Sequence, residues 1–254
     1  MSDRNKPVFA DIAAALGLLS RLPIPVNGSQ TQRRGAASAW AWPVAGALIG
    51  ACSGGIGFMA LALGMPPKLA AGFVLATGAI ITGGLHEDGL ADTADGLWGG
   101  WTRERRLEIM KDSHIGSYGV IALILSFGLR WVALTAMFET GLGAWGVIGA
   151  AILSRAPMVV LSWRMTQARP GGLSASLGRP DGRTAALSVF VTLLMATPLL
   201  GLALVPAMLA VTLSTAVFAR IAQAKIGGQT GDILGATQQL GEIAVLATLA
   251  TLAI

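Results

Sequence analysis

Charge is scarce in this sequence. Of 254 residues only 12% are Asp, Glu, Lys or Arg, against about a quarter in soluble domains, and the mean hydropathy is +0.67. A water-soluble globule is thereby excluded, and a bilayer is the expected solvent. A single cysteine, Cys52, excludes a disulfide framework; it sits in an apolar run and reads as a buried, inert thiol. No alternating two-residue pattern is present, which excludes a β-barrel, and there is no internal repeat, low-complexity tract or coiled-coil heptad. The apolar stretch at residues 8 to 20 is interrupted by Asp11 and followed by no small-residue cleavage pattern. It reads as an interfacial or re-entrant helix rather than a signal peptide or a span.

Apolar runs fill the rest of the chain, near residues 39 to 65, 68 to 85, 117 to 139, 141 to 163, 184 to 204, 206 to 222 and 233 to 254. A hydrocarbon core about 30 Å thick takes roughly 20 helical residues, and backbone groups in lipid must pair within their own segment. The expectation is an all-α polytopic bundle of about seven transmembrane helices, forming one membrane domain over residues 1 to 254. Gly46, Gly50 and Gly54 recur every four residues in the first run, a spacing that lets membrane helices pack closely.

Basic residues set the orientation. Arg4, Lys6, Arg21, Arg33 and Arg34 precede the first run; Arg103, Arg105, Arg106 and Lys111 follow the second; Arg164, Arg169, Arg179 and Arg183 follow the fourth; Arg220 and Lys225 flank the end of the sixth. All fall on one side, which is read as cytoplasmic together with the N-terminus. Lys68 alone lies opposite, and Arg130 and Arg155 lie within spans. The expected cytoplasmic segments are an acidic loop at 86 to 116 and loops at 164 to 183 and 223 to 232.

Seven of the thirteen acidic residues fall between positions 87 and 112, in HEDGLADTADGLWGGWTRERRLEIMKDSHIGSYG. A carboxylate at the bilayer centre costs at least about 2.5 kcal/mol, so this stretch is expected in water or a polar cavity. In a helix, Asp88, Asp92 and Asp95 share one face. Three like charges there repel, and a hard divalent cation removes the repulsion. Mg²⁺ typically keeps one or two carboxylates and completes its shell with waters and phosphate oxygens. Glu87 is a further candidate for the shell or for a second ion; His86 reads as a hydrogen-bonding neighbour. The small residues Gly89, Ala91, Thr93, Ala94 and Gly96 suggest close packing around the carboxylates, whereas Glu104 and Glu108 read as surface ion pairs.

Asp112 is a candidate ligand, general base or ion-pair partner. Arg103 and Lys111 are candidate phosphate ligands, competing with a role toward lipid headgroups. Late in the chain, GGQTGDILGA sets Thr230 and Asp232 among glycines, either as a ligand-binding turn or a helix cap. Arg155 lies roughly 12 Å inside its span, where a charge faces a partner or cavity, and contact with the acidic site is expected. Arg130, in the outer half of its span, is expected to snorkel outward.

HEDGLADTADGLWGG followed by RRLEIMKDSHIGSYG resembles the signature of the cobalamin synthase family, the adenosylcobinamide-GDP ribazoletransferases. LLSRLPIP, WPVAGALIGA, LSRAP and GGQTGDILGA agree across most of the chain. The resemblance implies a Mg²⁺-requiring enzyme of the cell inner membrane with its active site facing the cytoplasm. It would join adenosylcobinamide-GDP to α-ribazole or its 5'-phosphate and release GMP. Lipid and these small molecules are the expected partners, with a homo-oligomer allowed and no nucleic acid. The family's acidic positions fall on Glu87, Asp88, Asp92 and Asp95, with Asp112 and Asp232 beside them. The resulting expectation is a metal held by Glu87, Asp88, Asp92, Asp95 and Asp232. Asp95, Asp112 and Arg155 would act in catalysis, and Arg103, Lys111 and Thr230 on phosphate. Asp92 to Gly96 also resembles the opening of the CDP-alcohol phosphotransferase motif, whose downstream residues are absent. A cation or corrinoid transporter would instead carry its carboxylates on broken helices at mid-membrane.

Overall fold

The computed structural model describes residues 7–141 and 143–253; Arg4 and Lys6, part of the charge asymmetry above, lie outside the described residues. Helix α1 (Ala10–Leu19) precedes α2 (Gly28–Arg34), which runs through a 3₁₀ segment into α3 (Trp42–Ala62). Then follow α4 (Pro67–Thr82), α5 (Leu85–Gly99), α6 (Arg103–Ile109), α7 (Ser117–Glu139), α8 (Gly143–Leu153) and α9 (Ala156–Arg164). The chain ends with α10 (Leu173–Leu177), α11 (Gly182–Leu200), α12 (Leu204–Ile226) and α13 (Gly231–Ala253). The all-α expectation holds among the described residues, whose one extended feature is an isolated bridge between Gln167 and Gln229.

By length and composition five helical stretches can cross a membrane, or six if α4 and α5 are taken together. One of the five, Gly182–Ile226, is 45 residues long, more than twice what a bilayer needs. Its two ends nevertheless return to neighbouring residues. A Cβ on Gly182 would lie 3.3 Å from the Trp163 ring, and the Thr166 hydroxyl donates to the Gly227 carbonyl at 3.2 Å. The stretch is therefore a hairpin, reversed at Gly201, whose φ is +52°.

The second expected run is shorter than the sequence suggested. Helix α4 has 16 residues, about 24 Å at 1.5 Å per residue. Gly83 and Gly84, at φ +65° and +69°, then turn the chain by 89° into α5. The acidic segment is thus two helices, α5 and α6, rather than a loop. Helix α5, with four carboxylates among its 15 residues, is read as lying across the ends of the spans.

Ten-residue α1 is too short to cross, as expected. Leu16 and Leu19 anchor it in a core with Trp42, Met158 and Ile233, and Asp11 accepts from the Arg34 guanidinium and the Trp40 indole. The glycine row of α3 meets α8: a Cβ on Gly50 would lie 2.9 Å from Ala151 Cβ and Ile148 Cα, and one on Gly54 3.3 Å from the Ala144 carbonyl. That face of α3 is spent on packing. Cys52 is consequently exposed, on the side that meets lipid, and not buried as its apolar surroundings implied.

Candidate active site

Two glycines bring the carboxylates together. Where α5 crosses α13, a Cβ on Gly89 would lie 3.0 Å from the Asp232 carbonyl oxygen, and one on Gly235 would lie 3.3 Å from Gly89 Cα. The crossing puts Asp88 of α5 and Asp232 of α13 on the walls of one cleft of about 750 Å³, shared with Arg169, Thr230 and Gly231. Asp92 stands one turn along α5. Burial and the negative fields of Asp88, Asp232 and Asp95 push its carboxyl up to about 7, with Arg169 opposing.

The far wall is built by two loops zipped together. Gln229 N–H donates to the Thr166 carbonyl at 2.9 Å, and Ala168 N–H to the Gln229 carbonyl at 2.8 Å. Inside this joint the Ser174 hydroxyl donates to Gln229 Oε1 at 3.0 Å. Arg169 is thereby held over the start of α13, where its Nη2 donates to Asp232 Oδ2 at 2.9 Å. The buried Thr230 hydroxyl donates to the same oxygen at 3.1 Å and accepts from Ile233 N–H. Thr230, not Asp232, caps α13, leaving Asp232 turned into the cleft.

The structure does not bring all of the expected site residues into this cleft. Among the described residues no three acidic or histidine side chains stand close enough to hold a metal ion unaided, so the five-carboxylate shell is not preformed. Asp95 is buried beneath the start of α7, where its oxygens accept from Gly116 N–H at 2.7 Å and Gly119 N–H at 2.9 Å. These amides have no partner within α7 itself, and satisfying them removes Asp95 from the cleft. Asp112 is exposed at the end of α6 and accepts from His114 N–H. Its hydrogen bonds with His114 hold its carboxyl below the usual carboxylate range. Arg103 is tied to main chain, donating to the carbonyls of Ile226 and Ala168. It satisfies the open end of α12. Lys111 is exposed and makes no ion pair among the described residues.

Glu87 and Arg155 turn to the other side of α5. They line a separate polar cavity inside the bundle with His86, Arg130, Gln238 and Glu242. Arg130 is 3% exposed and does not snorkel: its Nη1 lies 3.5 Å from Glu87 and 3.3 Å from Glu242. Two carboxylates within reach make the interior cheaper for this guanidinium than a climb to the surface. Arg155 Nη1 donates to the Ala151 carbonyl at 2.7 Å, so its contact is with this inner cluster and not with Asp88 or Asp92. Sequence reasoning missed Arg169, Gln229 and Glu242. The signal for Glu242 was available, since Gln238, Gln239 and Glu242 interrupt an otherwise apolar run.

Comparison with known proteins gives the family. The chain is 48% identical over 241 residues to an adenosylcobinamide-GDP ribazoletransferase of Bradyrhizobium diazoefficiens, covering 94% of this chain and 92% of that one. It is 45% identical over 250 residues to one from Sinorhizobium sp, covering 94% and 95%, and 44% identical over 257 residues to one from Rhizobium meliloti, covering 96% and 97%. No solved structure matches. The family model described as cobalamin-5-phosphate synthase matches residues 11–250, and the chain belongs to that family.

Proposed function

We propose that the chain joins adenosylcobinamide-GDP to α-ribazole or α-ribazole 5'-phosphate with release of GMP, in the cleft between α5, α13 and the Arg169 loop. The observation that carries this reading is the convergence of Asp88 and Asp232 on one cleft with Arg169 donating to Asp232. The family match over residues 11–250 and the names of the relatives supply the substrates.

The donor set fits a magnesium ion. Asp88, Asp92 and Asp232 stand near the Arg169 guanidinium, and burial together with the negative fields of the neighbouring carboxylates raises the Asp92 carboxyl. A hard cation bound with only one or two carboxylates takes its remaining ligands from water and phosphate, so the lack of a preformed three-residue cluster is no obstacle. Asp88, Asp92 and Asp232 are the residues that would hold it. When bound it supplies charge neutralisation for the diphosphate and the departing nucleotide.

The chain's own groups supply the rest. Arg169 offers a planar donor pair suited to phosphate oxygens, and Asp232 and Thr230 fix its direction. The N-terminus of α13 opens on the same cleft at Gly231, adding the positive end of a 23-residue helix. Leu18, Trp42, Met158 and Leu173 form the apolar side of the cleft and keep water from the reacting phosphorus. Positioning and electrostatic stabilisation of this kind account for most of the catalysis in phosphoryl transfer.

The same reading places α5, α6 and the loops at 164 to 183 and 223 to 232 on the cytoplasmic face of the inner membrane, with seven crossings when α4 and both arms of the hairpin are counted. The basic residues around these segments support that orientation. Protein purified into lipid vesicles, given adenosylcobinamide-GDP, α-ribazole 5'-phosphate and Mg²⁺, is expected to release GMP in step with the joined corrinoid. Release of GMP without joining, or no product from folded protein, would reject the assignment.

A further inference from the structure

The hairpin of α11 and α12 encloses a second cleft that the proposed reaction does not use. Its volume is about 860 Å³, and α9 forms its floor between the two arms. Apart from Thr192, Thr212 and Thr215 every lining residue is apolar, among them Pro157, Val160 and Val189. The outward faces beside it are also apolar, with Phe190, Leu194, Leu209 and Leu213 exposed, as expected for helices bathed in lipid.

Two of the rows that line this cleft end on arginine. On α9, Pro157, Val160 and Leu161 are continued by Arg164, four residues beyond Val160. On α12, Thr212 and Ala216 are continued by Arg220. Residues three and four apart share a helix face, so both guanidinium groups follow the cleft at its mouth. Arg183 stands in the first turn of α11 at the same end, because Gly182 packs on Trp163. All three arginines are exposed; Arg183 lies in the field of the Asp181 carboxylate, whereas neither Arg164 nor Arg220 makes an ion pair among the described residues.

We propose that this cleft binds an anionic phospholipid, with an acyl chain between α11 and α12 against α9 and the phosphate held by Arg164 and Arg220. Trp163, stacked beneath the Arg164 guanidinium at 4.5 Å, sits at headgroup level, where tryptophan is favoured. Apolar lining and basic mouth together match a lipid's tail and head. A second copy of the chain fits poorly, since two-fold pairing through this face would bring the same arginines of both copies together. A soluble phosphate compound has no use for the apolar floor.

The test is native mass spectrometry on detergent-purified, delipidated protein given equal amounts of phosphatidylglycerol and phosphatidylcholine, with glycerol phosphate as a soluble competitor. Wild type is expected to retain one phosphatidylglycerol in preference to phosphatidylcholine, unaffected by glycerol phosphate. Arg164→Gln with Arg220→Gln is expected to lower that retention about 30-fold. Ala216→Trp, which fills the cleft, is expected to abolish it, with Val189→Trp from the opposite wall as replacement if that variant does not fold. Equal retention of the two lipids, undiminished retention in the double arginine variant, or displacement by glycerol phosphate would overturn the proposal. So would a dimer that Ala216→Trp dissociates without any change in bound lipid.

Discussion

Arg169 Nη2 donates to Asp232 Oδ2 across 2.9 Å, and this contact ties the loop after α9 to the first turn of α13. A charge-assisted bond of this kind is roughly twice as strong as a neutral one. In this cleft it also aims the one guanidinium that, among the described residues, lines the wall with the carboxylates. Arg169→Ala is expected to lower kcat/KM for adenosylcobinamide-GDP by about 100-fold, the equivalent of about 2.7 kcal/mol. Arg169→Lys is expected to recover only part of the loss, because an ammonium lacks the planar fork. Steady-state GMP release checks both.

Asp88 and Asp95 share a helix face on paper but have different surroundings. Asp88→Asn is expected to cut turnover at least about 100-fold while leaving the thermal unfolding midpoint within a degree or two of wild type. Asp95→Asn is expected to do the reverse. It weakens the bonds to Gly116 and Gly119 N–H, costing about 1–2 kcal/mol of stability, and it keeps most of the turnover at a temperature where the protein stays folded. Equal catalytic losses in the two variants would return Asp95 to the metal shell.

The half-buried Asp92 gives a pH signature. Its carboxyl is raised from 3.8 to about 7, so the folded protein holds this proton more tightly than the unfolded chain does. The resulting stabilisation is fully present below pH 4 and is lost as pH rises through about 7. In Mg²⁺-free buffer, Asp92→Asn is therefore expected to be more stable than wild type at pH 8 and to show a flatter dependence between pH 5 and 8. Added Mg²⁺ is expected to stabilise wild type more at pH 8 than at pH 6 and to have little effect on the variant. Thermal melts across that range, with and without the ion, decide it.

Arg130 lies between Glu87 and Glu242 inside the bundle. Removing one member of a buried charge set leaves the others uncompensated, at roughly 3–5 kcal/mol. Arg130→Leu is expected to unfold at a markedly lower temperature. Adding Glu87→Gln alone is expected to restore much of the loss, since one buried charge of each sign then disappears and Glu242 still offsets Arg155 in the same cavity. Melting curves of the single and double variants test this coupling.

Composition made the solvent legible, and apolar run lengths gave most of the helices. What the runs could not give was direction. The reversal at Gly201 and the turn at Gly83 and Gly84 depend on positive φ angles, which a hydropathy profile does not register. Of the acidic motif, the sequence identified a carboxylate-bearing helical face and its small packing residues; Gly89 and Gly235 show what that packing is for. It could not assign the carboxylates individually. Glu87 differs from Asp88 by one position, yet one enters the bundle and the other faces the cleft. Asp95 looks like a ligand until Gly116 and Gly119 are seen to donate to it. Arg169 was hidden because nothing local marks it. Its importance comes from the Gln167 and Gln229 bridge, which joins segments about sixty residues apart.

The elbow at Gly83 and Gly84 fixes where α5 begins, and each residue added to a helix rotates all that follow by about 100°. Deleting one position between the elbow and Asp88 would aim Asp88 at Arg130 and the apolar interior, while inserting one would swing Asp92 away from Asp232. This segment can therefore diverge by exchange of residues but hardly by change of length. A functional descendant should keep the four-residue interval from the second glycine to the first cleft aspartate, even where its other loops grow or shrink.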